Sequence, residues 1–233
     1  MRYSKLLLIL ATLPGLSLAR GNAAGFAGAA DHNNPRENGP ALKAKAAGNE
    51  SRPLLVCFGD SLTAGAGIDA DQAYPANLQR LLDQQGFNYQ VVNAGVNGNT
   101  TKDGLDRVDE VLRRHPQVVV VEFGGNDGLR GLPTAQAQRN LDSIVRQLKA
   151  SGAKVAMAGI TLPAQYGGPY IQSFNAMFPA IATRYHVPLL PFILQDVYGI
   201  PGYIQDDGVH PTAKGAQQVA VNVDRLVTPL LKK

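Results

Sequence analysis

Serine chemistry needs a hydroxyl nucleophile, a base to take its proton, a group that orients the base, and donors for the oxyanion. Residues of these types stand in four short polar clusters of this chain. Gly59-Asp60-Ser61-Leu62 directly follows an apolar run, so the Ser61 hydroxyl projects from the end of a strand. Asp206-Asp207-Gly208-Val209-His210-Pro211 lies near the C-terminus. His210 is the natural base there. Asp207, three residues before it, is close enough to accept from its Nδ1–H and hold the tautomer. Between these clusters lie Asn93-Ala94-Gly95-Val96-Asn97-Gly98-Asn99-Thr100 and Gly124-Gly125-Asn126-Asp127-Gly128. Gly98 has no Cβ and can bring a backbone N–H close to a reacting carbonyl. Asn126 can add a side-chain N–H, and the Ser61 N–H supplies a third donor.

Each cluster alone has a plainer reading. Gly-Asp-Ser is often a turn with an N-cap, and Asn-Gly or Gly-Gly-Asn-Asp is often only a turn. Asp207 reads equally as a turn carboxylate and His210 as a surface residue before Pro211. Their joint placement separates the readings. The other histidines fit the chemistry less well: His32 is in a polar lead, His115 ends a helical pattern, and His186 has no acidic neighbour close in sequence.

The elements that must position these clusters alternate along the chain. Leu54–Phe58, Tyr89–Asn93, Val118–Phe123, Val155–Ile160 and Val187–Leu190 read as strands. They are near-continuous apolar runs, the pattern of parallel strands covered on both faces. Ala76–Gln85, Lys102–Arg114, Ala135–Ala150, Ile171–Tyr185 and Ala213–Leu226 carry apolar residues at helical spacing. Gly86 and Gly152 stand where helix C-caps belong. Such alternation predicts a three-layer α/β/α sandwich on a five-stranded parallel sheet with right-handed crossovers. Ligands of open α/β sheets bind beyond the carboxyl ends of the strands, which is where the four clusters fall.

Length and composition set the outer bounds. The chain has 233 residues, 45% apolar and 17% charged, which excludes wholesale disorder. A single cysteine, Cys57, excludes an intramolecular disulfide framework and a Cys-cluster zinc site. It reads as a buried apolar thiol within the first strand. Residues 1–19 combine Arg2 and Lys5 with an apolar run over 6–18 and a small-x-small Ser17-Leu18-Ala19, the pattern of a secretory signal. That run is too short to span a membrane and contains Pro14-Gly15. Gly25–Ala30 offers a second cleavage zone. Residues 20–50 read as a flexible linker, and 51–233 as one catalytic domain of an exported, periplasmic or secreted, protein. The formal charge of +4 is mostly a property of the signal and linker. From residue 51 onward there are 16 basic and 15 acidic residues. No clustered basic face with a reading helix or aromatics stands out, so no nucleic-acid partner is expected.

Several rival functions could draw on the same residues. Gly65-Ala66-Gly67-Ile68-Asp69-Ala70 fits a dinucleotide fingerprint, but it stands too far from its strand, and the second strand ends on Asn93 rather than an acid. The lipase elbow G-x-S-x-G is absent because Thr63 occupies its last position. A metal hydrolase could recruit Asp60, Asp127, Asp206, Asp207 and His210, yet no other histidine completes a ligand shell, and neither metal nor cofactor is expected. A non-enzymatic binding module would use the same groove. For an acyl chain, Leu129, Leu132, Pro133, Tyr166, Tyr170 and Phe174 are candidate lining residues. The competing reading for the three aromatics is packing within their own loop and helix. Arg130 is a candidate for an anionic group, or a solvated loop residue.

With these residues assembled, the chain resembles the GDSL, or SGNH, hydrolases, and most of all their small exported thioesterase, lysophospholipase and arylesterase subgroup. The resemblance extends over residues 54–230, through FGDSLTAGAG, NAGVNGNTTKDGL, VVVEFGGNDGLRGL, LPAQYGGPY, VPLLPF and QDDGVHP. The family's four block residues fall on Ser61, Gly98, Asn126 and His210, and its triad aspartate on Asp207 rather than Asp206. The resemblance implies a flavodoxin-like sandwich without a lid domain, a small-molecule acyl ester or thioester as substrate, and a loop over Asp127–Pro133 that moves on acyl binding. A monomer is expected. A carbohydrate O-deacetylase on the same fold is the alternative within the enzyme reading.

Overall fold

The computed structural model describes residues 52–233. The signal expected over 1–19 and the linker expected over 20–50 lie outside the described residues. Five strands form one parallel sheet: β1 (Leu54–Gly59), β2 (Gln90–Gly95), β3 (Val118–Glu122), β4 (Lys154–Ala158) and β5 (Leu189–Leu190), in the order β2-β1-β3-β4-β5. The helices are α1 (Ser61–Ala64), α2 (Tyr74–Gln84), α3 (Thr101–Asp106), α4 (Val108–Leu112), α5 (Gly125–Leu129), α6 (Thr134–Ala150), α7 (Gly168–Tyr185) and α8 (Ala213–Val227).

This strand order fixes where the helices must go. The chain steps from β1 outward to β2, then reverses and crosses β1 to reach β3. With right-handed crossovers, that reversal sends successive helices to opposite faces of the sheet. Accordingly α2 and α8 pack against each other, while α6 packs against α3, α4 and α7 as a second group. The central strands β1 and β3 are completely buried apart from Leu54, which explains their unbroken runs of Leu, Val and Phe. β2 is an edge strand and stays half-exposed. The reversal opens a crevice beyond the ends of β1 and β3, the position where flavodoxin-like sheets bind ligands.

The structure differs from the periodicity reading in three respects. The helix expected over Lys102–Arg114 is two helices broken at Arg107, whose φ of −112° and ψ of 10° leave the helical region. Its guanidinium is drawn inward: Nη2 donates to Gly59 O at 2.7 Å, Nη1 to Ala94 O at 2.9 Å, and Nε to Asn99 Oδ1 at 2.7 Å. It also lies 4.5 Å from the Phe58 ring centroid and 5.5 Å from that of Phe123. The carbonyls it holds are at the ends of β1 and β2. The fifth strand shrinks to two residues. Finally, the polar clusters around Ser61 and Asn126 are not plain loops, because each winds into a short helix, α1 and α5.

Helix α1 can sit tight against β2 only because residue 95 is glycine. A Cβ at Gly95 would stand 2.2 Å from Ala64 N. Gly95→Ala must therefore push α1, and Ser61 with it, away from the sheet. Overpacking of this kind costs ~1–3 kcal/mol. Thermal unfolding of Gly95→Ala should show a lowered Tm together with reduced activity; a wild-type Tm would contradict this packing.

Candidate active site

Ser61 is the first residue of α1. Asp60 caps that helix by accepting the Leu62 N–H on Oδ1 at 3.1 Å, and Gly65 closes it in the left-handed conformation. The serine is thus fixed at a single helical turn directly beyond β1, with its own N–H among those lacking an acceptor inside the helix. Its hydroxyl faces His210: Oγ and Nε2 are 2.9 Å apart. On the other side of the ring, Nδ1 is 2.6 Å from Asp207 Oδ2. Asp207 Oδ1 meanwhile accepts the N–H groups of Val209 at 2.9 Å and His210 at 3.0 Å, which folds the intervening loop around the carboxylate. Partial burial works to raise the Asp207 pKa, but the hydrogen bonds from the His210 ring and from these two N–H groups outweigh it. The carboxyl is held below its usual range.

The loop carrying the histidine is itself anchored. Ile204 and Pro211 form an antiparallel bridge. Gln205 Nε2 donates to Ala66 O and to Pro211 O, both at 2.8 Å, tying this loop to the turn behind α1. Gln205 also packs against Gly67, so the Gly65–Ala70 segment serves as a docking turn rather than as the opening of a nucleotide-binding helix.

Gly98 and Asn126 complete the cluster. Gly98 adopts φ +77° in the turn from Val96 to Asn99, a conformation that L side chains rarely adopt. Arg130 Nη2 donates to its carbonyl at 2.9 Å. Asn126 lies in α5 just beyond β3, and its Nδ2 donates to Asn99 O at 3.0 Å and to Asp60 Oδ2 at 3.3 Å. One amide thus joins the loops following β1, β2 and β3. The neighbouring Asp127 is buried and accepts from Thr101 N–H at 2.8 Å and Thr101 Oγ1 at 2.6 Å, which locks α5 onto α3. Among the described residues no cluster of three or more potential metal ligands occurs.

Ser61, Gly98, Asn126 and His210 border one cavity of about 520 Å³. Its apolar wall comes from Leu62, Leu129, Ile160, Leu162, Pro163, Phe192, Leu194, Tyr198 and Val209. Of the six residues expected to line an acyl trough, only Leu129 borders this cavity. Tyr166 and Tyr170 instead turn their hydroxyls to the carbonyls of Leu129, at 3.0 Å, and Leu132, at 2.8 Å. Phe174 is fully buried, with Tyr170 and Phe178 against its ring. Leu132 and Pro133 are not in the cavity wall. Of the missed residues, Ile160, Leu162 and Pro163 follow β4, and Phe192, Leu194 and Tyr198 follow β5, so the strand-end rule that points to Ser61 points to these six as well.

A family model described as the GDSL-like lipase/acylhydrolase family matches residues 57–218. The chain belongs to that family. Esterase TesA of Pseudomonas aeruginosa is 42% identical over 178 residues, covering 76% of this chain and 89% of that protein. The Escherichia coli K12 protein named thioesterase 1/protease 1/lysophospholipase L1 is 40% identical over 178 residues, covering 76% of this chain and 84% of that protein. The crystal structure of TesA superposes with a TM-score of 0.73 at 43% identity, covering 77% of this chain and 99% of that chain. The three-layer parallel fold is therefore shared with solved GDSL-like hydrolases, and ester hydrolysis is the chemistry of the family.

In this GDSL-like domain the carboxylate beneath the serine is electrostatically costly. Burial pushes the Asp60 pKa up to about 6, against the opposing effect of its bonds to Leu62 N–H, Glu122 and Asn126. The unfolded chain ionises at about 3.9, so the folded state resists losing this proton and its stability falls as pH rises from about 4 to about 6. Asn at position 60 still caps α1 and has no proton to lose. The Tm of Asp60→Asn relative to wild type should therefore climb across that window and level off above it. A difference that stays flat with pH would contradict the assignment.

Proposed function

We propose that this chain hydrolyses acyl esters and thioesters through an acyl-enzyme on Ser61, with His210 as general base and Asp207 as its orienting carboxylate. The observation that carries this reading is the pair of contacts across one imidazole: 2.9 Å to Ser61 Oγ and 2.6 Å to Asp207, at the mouth of an apolar cavity. His210 takes the Ser61 proton as Oγ attacks the acyl carbonyl. The oxyanion is received by the N–H groups of Ser61 and Gly98 and by the Asn126 amide. Asn126 turns to it the N–H that otherwise makes the longer contact, to Asp60. His210 then protonates the leaving alkoxide or thiolate and activates water for deacylation.

The cavity favours an acyl chain over an acetyl group. A volume of about 520 Å³ with an apolar wall can take many methylenes, each worth ~0.8 kcal/mol of burial. That energy is about fourfold in binding per methylene. Across a series of aryl esters, kcat/KM should climb by up to that factor per added methylene and plateau when the cavity is full. A preference for acetyl over longer chains would overturn this substrate class in favour of O-deacetylation. Export of the chain is proposed on residues 1–19 alone; among the described residues no helix is long and apolar enough to cross a membrane.

A fluorophosphonate probe should label the wild type and fail to label Ser61→Ala, which should also be inactive. Asn126→Ala should remain folded and lose ~10²–10³ in kcat, as expected when one oxyanion donor is removed. Undiminished hydrolysis by Ser61→Ala would refute the mechanism.

A further inference from the structure

Glu122 closes β3 at the floor of the site, and its side chain is completely buried. In the sheet it lies level with Gly59, one residue before Asp60. Its Oε2 accepts from Thr63 Oγ1 at 2.8 Å and from Asp60 N–H at 3.4 Å. Its Oε1 is equally buried and receives no donor. The ionisable groups facing it are Asp60 from the cap of α1, Tyr74 from α2 and Cys57 from β1, and none of them is a cation. A carboxylate enclosed in this way is too costly to keep, and the group holds a proton instead. An acid proton on Oε1 explains the missing donor, because an O–H gives a hydrogen bond rather than receiving one. The nearest acidic side chain is that of Asp60, whose own N–H already meets Glu122 Oε2.

Asp60 is where this bond acts on the chemistry. One of its oxygens fixes the turn that begins with Ser61, and the other holds the Asn126 amide. We propose that Glu122 is a positioning residue that remains a neutral carboxylic acid, hydrogen-bonds the Asp60 carboxylate with its acid proton, and thereby holds the group that aligns Ser61 and, until the oxyanion forms, keeps Asn126 in place. This rests on the reading of Ser61 as nucleophile and Asn126 as oxyanion donor. Burial drives the Glu122 pKa far above the usual carboxyl range, and the adjacent Asp60 charge adds to that shift. Asp60 itself is raised only to about 6. Above that pH the pair carries one proton, and it resides on Glu122.

Gln at position 122 imitates the neutral acid, with an N–H donor for Asp60 and an oxygen for Thr63. Leu imitates neither. Glu122→Leu should lower kcat by roughly 10- to 100-fold with little change in KM, the effect of misplacing reacting groups by a fraction of an ångström. Glu122→Gln should restore most of that loss, which a purely space-filling role would not distinguish from Leu. Infrared difference spectra of wild type against Glu122→Gln, taken at about pH 8, should contain the carbonyl band of a protonated carboxylic acid, although glutamate ordinarily ionises near 4.3. Carboxylate bands alone would overturn the proposal, as would a Gln variant as impaired as Leu or a Leu variant with wild-type kcat. If Glu122→Leu does not fold, the infrared band decides by itself. Full activity in Ser61→Ala would defeat the catalytic reading instead, and would leave the infrared result standing.

Discussion

A 2.9 Å hydrogen bond between Ser61 and His210 joins residues 149 positions apart in sequence, and the surrounding structure serves to hold those two side chains in reach. The serine comes from the turn after β1, and the histidine from a loop that follows β5. Proton transfer tolerates little error in that distance. Both ends are tied down by bonds outside the pair itself. Asp60 caps the turn on one side, while Asp207 and Gln205 close and anchor the loop on the other. A constellation assembled from distant segments is only as precise as the supporting contacts that hold it.

The sheet topology explains why these segments meet. The reversal between β2 and β3 leaves the ends of β1 and β3 side by side with their helices on opposite faces. Ser61 and Asn126 lie in the first turns of the short helices that follow those strands. Arg107 spans the ends of β1 and β2 from below, so the loops bearing Ser61 and Gly98 share one cation. A half-buried guanidinium among carbonyls and aromatic faces suits this role, because it makes several directed bonds at once and is weakly hydrated. Beneath it Asp60 and Glu122 place two carboxyls in one buried volume. That arrangement lowers stability, as expected where a site demands charge in a low-dielectric setting.

Much of this was legible in the sequence, and the reason is physical. Parallel strands buried on both faces leave apolar runs, and the residues after them are confined to the functional edge. That Ser61, Gly98, Asn126, Asp207 and His210 would meet at one edge could therefore be anticipated from position and type. The wall of the cavity was less legible. Tyr166 and Tyr170 stand in the right region, but their hydroxyls find carbonyls in the loop after β3 and the rings stay with that loop. Phe174 faces inward from α7 and is consumed by the core. Arg107 and Glu122 carried no local signal. One resembled an ordinary charge on an amphipathic helix, and the other is a single acid at the end of a valine run. Their roles arise from partners in other elements, which neither periodicity nor turn chemistry encodes.

A double-mutant cycle on kcat shows whether Ser61 and His210 act as one unit. Residues that share a single proton transfer lose their effect together. Ser61→Ala, His210→Ala and the double variant should all fall to the same residual rate. If instead the two losses multiply, the residues act independently and His210 is not the base for Ser61.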